Sequence, residues 1–197
     1  ASPYTKYTDV ILARYLANGE LDTDFGTLGK VYTDFGSNDY AYRLKLLANG
    51  KIIGVVIGNS ECGPRALGNR SILCFPGFAD MKKTLNNKIK FREFFRPFAP
   101  VIKEEQINLF CDSLTESTFM SYAPHIHEYM AEKIPAAIHA DGTARLQTVN
   151  EAQHPFLYQL IDAIETITGV GCLINTSFNT KGKPILTTIA EALEVLT

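Results

Sequence analysis

The chain has 197 residues, 46% of them hydrophobic and 20% charged, with a net charge of −2. These values fit a globular protein of about one domain and exclude a disordered chain or a polyanion binder acting through bulk charge. The longest apolar run, residues 52–57, is broken by Gly54, so no membrane partner is expected. No apolar leader follows the opening ASPYTKYTD, and the expected location is the cytoplasm. The four cysteines (Cys62, Cys74, Cys111, Cys172) lack close pair spacing, so free thiols, three of them buried, are expected in a reducing compartment. The missing start Met and the end at Leu196-Thr197 lead us to expect a piece of a longer protein.

Residues 9–17 read as a short helix stopped by Asn18-Gly19, and an acidic, glycine-containing run follows over 20–36. Residues 1–36 are taken as a linker or the remnant of a preceding domain, and 37–197 as the main domain. A helix over 38–49 with Gly50 as its cap leads into a strand over 51–57.

Directly after that strand comes ECGPRALGNRSIL, residues 61–73. Gly63, Pro64 and Gly68 shape its backbone, and Arg65 and Arg70 project from one short turn. Glycines permit close approach and guanidinium groups match phosphate oxygens in pairs, so the stretch is a candidate phosphate cradle. A surface turn with two solvated arginines is the plain alternative. Arg70 has a second expected role, anchoring the turn through Glu61 or a backbone carbonyl.

Nine of the 19 basic residues lie between Arg65 and Lys103, against only Asp80 and Glu93. That local excess calls for an anionic partner or a very wet surface. Asp80 is read as the N-cap of a helix with Met81, Leu85 and Ile89 inward. In KFREFFRPFAPVIK, Pro97 and Pro100 argue for a strand after the helix, which lets Lys90, Arg92 and Arg96 converge.

Residues 104–133 read as an amphipathic helix and a loop, with His125 and His127 as surface histidines. A strand over 136–141, a tight turn at Asp141-Gly142 and a partner strand over 144–149 are expected next. Alternation puts Arg145, Gln147 and Val149 on one face of a central strand, where an arginine is costly without an anion. Pro155 opens a helix with Phe156, Leu160, Ile161, Ile164 and Ile167 on its apolar face, and Gly169 closes it. A strand over 170–174 runs into NTSFNTKGKP, where Asn175, Ser177 and Asn179 alternate and can face one side. A polar turn is the alternative there. Thr188 and Glu191 form a capping box for a last helix.

Four ordered motifs, GPRALGNRSIL, KIKFREFFRPFAPVI, HADGTARLQTV and NTSFNTKGKPI, resemble the C-terminal domain of the O-carbamoyltransferases, including the nodulation-protein-U type and antibiotic-tailoring enzymes. The likeness covers residues 28–197. Lys90-x-Arg92 with Ser177-x-Asn179 also resembles the pattern of YrdC-like domains. The resemblance implies an α/β (α+β) fold, a YrdC-like twisted mixed β-sheet flanked by helices around a central anion-binding cleft. It further implies that ATP and carbamoyl phosphate are converted to carbamoyl-AMP. A Kae1-like N-terminal domain of the same protein, absent from this sequence, would pass the carbamoyl group to an acceptor hydroxyl.

By the same resemblance Lys90, Arg92, Ser177 and Asn179 are catalytic. Arg65, Arg70, Lys90, Arg96, Arg145, Asn175 and Ser177 bind substrate and ATP phosphates. Mg²⁺ accompanies ATP, held by phosphate oxygens and water rather than a protein cage, with His139 and Asp141 as assisting groups. Relatives usually read GRMEFGPRALG where this chain has GNSECGPRALG, so Asn59 and Cys62 depart from the pattern. Two other readings compete. One is an RNA-binding module with a basic cleft, weakened by the net charge and by an expected lack of exposed aromatics among the basic residues. The other is a regulatory domain that binds nucleotide without turnover.

Overall fold

The computed structural model describes residues 10–13, 30–33 and 48–196. The chain forms two compact units, 1–43 with 196–197, and 44–195. In the first, β1 (Val10–Ala13) pairs antiparallel with β2 (Lys30–Thr33). The helix expected over 9–17 is thus corrected at its centre. Val10 and Ile11 are β-branched, and a partner distant in sequence supplies the ladder that a short helix cannot match. The helix expected over 38–49 lies outside the described residues except at its end, where Gly50 takes φ 71.

The second unit is built on a five-stranded sheet of β3 (Ile52–Val56), β4 (Arg70–Cys74), β5 (Ala99–Lys103), β6 (Gln147–Val149) and β7 (Cys172–Ser177). Its order is β3-β4-β7-β5-β6, antiparallel throughout except for the parallel pair β5 and β6. The expected mixed α/β sheet is therefore the observed one. Gly54 interrupts the apolar run of β3 because Phe178 lies over it, and a Cβ there would meet the ring at 2.5 Å. Every residue of β4 and β5 is buried, including Arg70 and Lys103. Lys103 is balanced by Asp162 at 2.7 Å and Glu165 at 2.9 Å.

Two short helices, α1 (Met81–Leu85) and α2 (Glu128–Ala131), precede α3 (Pro155–Thr168), which carries both of those acids. The His154 ring accepts from the Leu157 N–H at the start of α3, and Gly169 closes it with φ 75. Leu157, Leu160, Ile161 and Ile164 are buried, each contributing about 1.5–3 kcal/mol of apolar burial. Ile167, expected on that face, is 54% exposed in the last turn.

The expected helix after Asp80 is shorter than its pattern. Asp80 makes no side-chain cap bond, and after Leu85 the chain widens into a π-helical turn that ends at Phe91 with φ 46. Buried Asn86 supplies the reason: its Nδ2 donates to the Phe94 and Arg96 carbonyls while its Oδ1 accepts from Arg92 Nε. The helix end is thereby folded back on the segment that follows.

Residues 104–109 form 3₁₀ turns rather than an amphipathic helix. The hairpin expected over 136–149 keeps only its turn, with Gly142 at φ 78 and the His139 N–H donating to the Thr143 carbonyl. Its second arm pairs instead with the segment at Pro124–Ile126, through Ala144 N–H to Pro124 O and Gly142 O from Ile126 N–H. Gln147–Val149 then joins the sheet edge beside β5, so Arg145 precedes an edge strand rather than sitting in a central one. The capping box at Thr188 and Glu191 opens α4 (Ile189–Leu196) as expected. Cys74, Cys111 and Cys172 are buried and Cys62 exposed, all as free thiols, also as expected. Among the described residues no helix is long and apolar enough to cross a membrane.

Candidate functional site

The glycine and arginine turn between β3 and β4 is closed by one carboxylate. Glu61 Oε1 accepts from the backbone N–H groups of Leu67, Asn69 and Arg70 at 2.7–3.0 Å. Gly63 and Gly68 take φ 116 and 122, and a Cβ on Gly68 would fall 2.5 Å from His154 Nε2. Both glycines are therefore required by the backbone path.

The two arginines of the turn part company. Arg70 is 5% exposed, and all its donors go to carbonyls: Nε and Nη2 to Thr187, Nη1 to Ile57 and Asn69, Nη2 also to Gly58. With no donor left for an anion, its expected place among the ligand residues is corrected to the anchoring role. Arg65 is exposed and makes no hydrogen bond to the described residues.

Arg65 lines a cleft of about 100 Å³ together with Arg92, Arg145, Asn175 and Ser177, and with Ala66, Ala99 and Met120 among its apolar lining. Among the described residues no carboxylate lines it. Met120 has φ 58, an uncommon strain for a non-glycine residue, here beside the arginines. Burial and the nearby Arg96 and Arg145 weigh against the charge on Arg92; burial and then Arg65 do the same for Arg145. Arg92 is steadied by Asn86 Oδ1 at 2.7 Å and by the Phe98 ring, whose centroid lies 4.7 Å from its guanidinium carbon. Arg145 Nε is buried and has no hydrogen-bond partner among the described residues.

Lys90 is 4% exposed. Its Nζ donates to the Ser177 carbonyl, to Ser177 Oγ at 3.3 Å, and to Asn179 Oδ1 and O at 2.9 and 3.2 Å. Ser177 Oγ in turn donates to Asn179 Oδ1 at 2.7 Å. Burial, helped by Arg92, brings the Lys90 ammonium down to about 7, against the pull of its oxygen partners toward the charged form. Lys90, Ser177 and Asn179 are thus brought together as the sequence motif suggests, with Arg92 and Ser177 facing the cleft.

Other expected residues lie elsewhere. Arg96 does not line the cleft; it is half exposed and pairs with Glu93 at 3.8 Å. His139 and Asp141 are both engaged by Thr143, through His139 Nδ1 at 2.8 Å and Asp141 Oδ1 at 2.7 Å, and neither lines the cleft. Asn59 and Cys62 are exposed outside it. A roomier hollow of about 570 Å³ is bounded by residues 112–122 and contains no cationic side chain, so it does not suit phosphate. The expected lack of exposed aromatics is overturned: Phe91, Phe94 and Phe95 are 60–67% exposed and interleaved with Arg92 and Arg96. Sequence reasoning also missed Gln147, which is buried against Asn175, although its alternation with Arg145 already put the two on one face.

Residues 44–197 match the family model described as Carbamoyltransferase C-terminus. Nodulation protein NolO of Bradyrhizobium diazoefficiens is 42% identical over 150 residues, 75% of this chain and 27% of that protein. NolNO of Sinorhizobium fredii is 45% identical over 150 residues, 75% and 22%. The 3′-hydroxymethylcephem-O-carbamoyltransferase of Amycolatopsis lactamdurans is 37% identical over 145 residues, 74% and 27%. The chain thus spans about a quarter of these relatives. The fold is shared with T. kodakarensis HypF, at TM-score 0.56 and 15% identity over 83% of this chain and 20% of that one. A phosphate- and nucleotide-bound form of full-length HypF gives TM-score 0.53 and 18% identity over 84% and 20%.

Proposed function

Since the chain belongs to the carbamoyltransferase C-terminal family, we propose that it is the part of an O-carbamoyltransferase that makes carbamoyl-AMP from ATP and carbamoyl phosphate. The observation that most supports this is the set of three guanidinium groups, Arg65, Arg92 and Arg145, around a cleft that no carboxylate of the described residues lines. Like charges gathered in this way are unfavourable until an anion is shared among them. The HypF neighbour in its phosphate- and nucleotide-bound form accords with such ligands.

In this reading carbamoyl phosphate gives up its phosphate to water, leaving carbamate. A carbamate oxygen then attacks the α-phosphorus of ATP, a new P–O bond forms, the bond to the bridging oxygen breaks and pyrophosphate leaves. Carbamate is already an anion, so no general base is needed. The arginines neutralise charge on the phosphoryl oxygens, and orientation supplies the rest of the rate. Lys90 acts by holding Ser177 and the end of β7 at the cleft. Mg²⁺ would travel with ATP on phosphate oxygens and water, and among the described residues no group of three or more His, Cys, Asp or Glu gathers to hold a metal ion. Transfer to an acceptor hydroxyl belongs to a further domain of the longer protein, acting in the cytoplasm where ATP is supplied.

The test is incubation of the purified chain with ATP, carbamoyl phosphate and Mg²⁺. Pyrophosphate and carbamoyl-AMP are expected, dependent on both substrates. Nucleotide binding without either product would instead favour a regulatory domain. The exposed Phe91, Phe94 and Phe95 beside Arg92 and Arg96 favour one second reading, a single-stranded RNA platform. RNA binding that survives Arg65→Ala and Arg145→Ala and is not displaced by ATP would support it.

A further inference from the structure

We propose that a second hollow, of about 240 Å³ and beside the arginine cleft, binds a small hydroxylated ammonium ion, with the Glu61 carboxylate as its charge partner. The inference is independent of the reaction proposed above. Three segments wall both spaces. Arg65, Met120 and Arg145 line the cleft, while Leu67, Thr118 and Gln147, each two positions away, line the hollow. The hollow has the opposite character: Glu61 stands on its wall, and among the described residues no Lys or Arg does. His154, also on the wall, supplies no cation. Its Nδ1 accepts from the Leu157 N–H, so the ring proton sits on Nε2 and is donated to Asn69 Oδ1 at 3.0 Å. A second proton would cost the cap of α3, and burial holds the ring below its usual value against the pull of Glu61.

Glu61 itself is half satisfied. Its Oε1 takes three backbone N–H groups, whereas Oε2 is buried and has no hydrogen-bond partner among the described residues. None of those residues forms an ion pair with it. A carboxylate oxygen withdrawn from water in this way calls for a charged donor. The remaining polar groups are neutral. Gln147 Oε1 accepts from Asn175 Nδ2, which leaves Gln147 Nε2 to donate, and the Thr118 hydroxyl can donate or accept. One –NH₃⁺ with a hydroxyl nearby matches this set, whereas an anion is repelled by Glu61. The volume far exceeds that of a bare ion, and no metal-holding group of His, Cys, Asp or Glu forms among the described residues. Both facts point to an organic cation.

The experiment is ¹H–¹⁵N NMR titration of the 197-residue chain at low salt with ethanolamine, ethylene glycol and glycolate, probes of one size that differ in charge. Ethanolamine should give saturable shifts at the amides of Leu67, Asn69 and Arg70, which donate to Glu61. Its affinity should exceed that of ethylene glycol by about tenfold or more, and glycolate should not bind there. Glu61→Gln keeps an oxygen for the three N–H groups and puts an –NH₂ in place of Oε2, so it should abolish the preference. Equal shifts from the charged and neutral probes, no saturation by any of the three, or ethanolamine shifts confined to other amides overturns the inference. Should the variant not fold, the wild-type series decides by itself. None of these outcomes bears on whether carbamoyl-AMP is formed, which the pyrophosphate assay reads separately.

Discussion

Replacing Arg70 by Ala separates an arginine that holds the fold from one that holds a ligand. Its five donor contacts reach four carbonyls at 2.8–3.2 Å. The Asn69 carbonyl keeps another donor, the Ile57 N–H at 2.9 Å, so three carbonyls (Ile57, Gly58, Thr187) lose their partner. An unsatisfied buried group costs about 1–3 kcal/mol. Gly58 and Thr187 lie where water can reach, which argues for the low end and a total of about 3 kcal/mol. That is a sizeable part of an ordinary domain's stability of about 5–15 kcal/mol. With a urea slope of about 2 kcal/mol/M, the unfolding midpoint should fall by about 1.5 M, read by circular dichroism. Arg70→Lys should recover only part of this, because one ammonium cannot reach carbonyls on three sides. A midpoint that stays within about 0.3 M of the wild type, with phosphate binding lost, would refute the argument and return Arg70 to the ligand set.

Arg145→Met should behave in the opposite way. No hydrogen bond to the described residues is lost and a like-charge contact with Arg65 is relieved, so stability should hold within about 0.5 kcal/mol. Phosphate affinity should nevertheless drop about tenfold or more in titration; a variant that unfolds but keeps its affinity would count against the cleft assignment. Lys90 sets a pH dependence. Its folded value near 7 lies below the ordinary 10.5, so between those values the unfolded chain binds more protons and stability should rise with pH. Lys90→Met should flatten that rise in urea midpoints measured from pH 7 to 10; an equal rise in both proteins would assign it to another group.

Much of the domain was legible because its signals are local. Pro155 and Gly169 bound α3, Thr188 and Glu191 cap α4, and the strand before Asn175 reads from its apolar run. Arg65, Arg145, Asn175 and Ser177 could be singled out because their residue types and motif spacing suit anions, and the fold does bring them to one cleft. The helix after Asp80 ends at Leu85, sooner than its pattern, because periodicity does not register what Asn86 does to the chain beyond it.

What the amino-acid order determined by itself was the locally signalled elements such as α3, α4 and β7, the family and the stock of cations suited to an anion. Tertiary structure alone decided how those cations are divided. Arg65 and Arg70 are five places apart in one motif, yet one faces the cleft and the other is consumed by carbonyls as remote as Thr187, 117 residues away. The unpaired Oδ1 of Asn175 likewise depends on Ala66 and Gln147, which lie on other segments. A side chain's chemistry is written in the sequence, but whether its donors are free is set by partners that only folding brings within 3 Å.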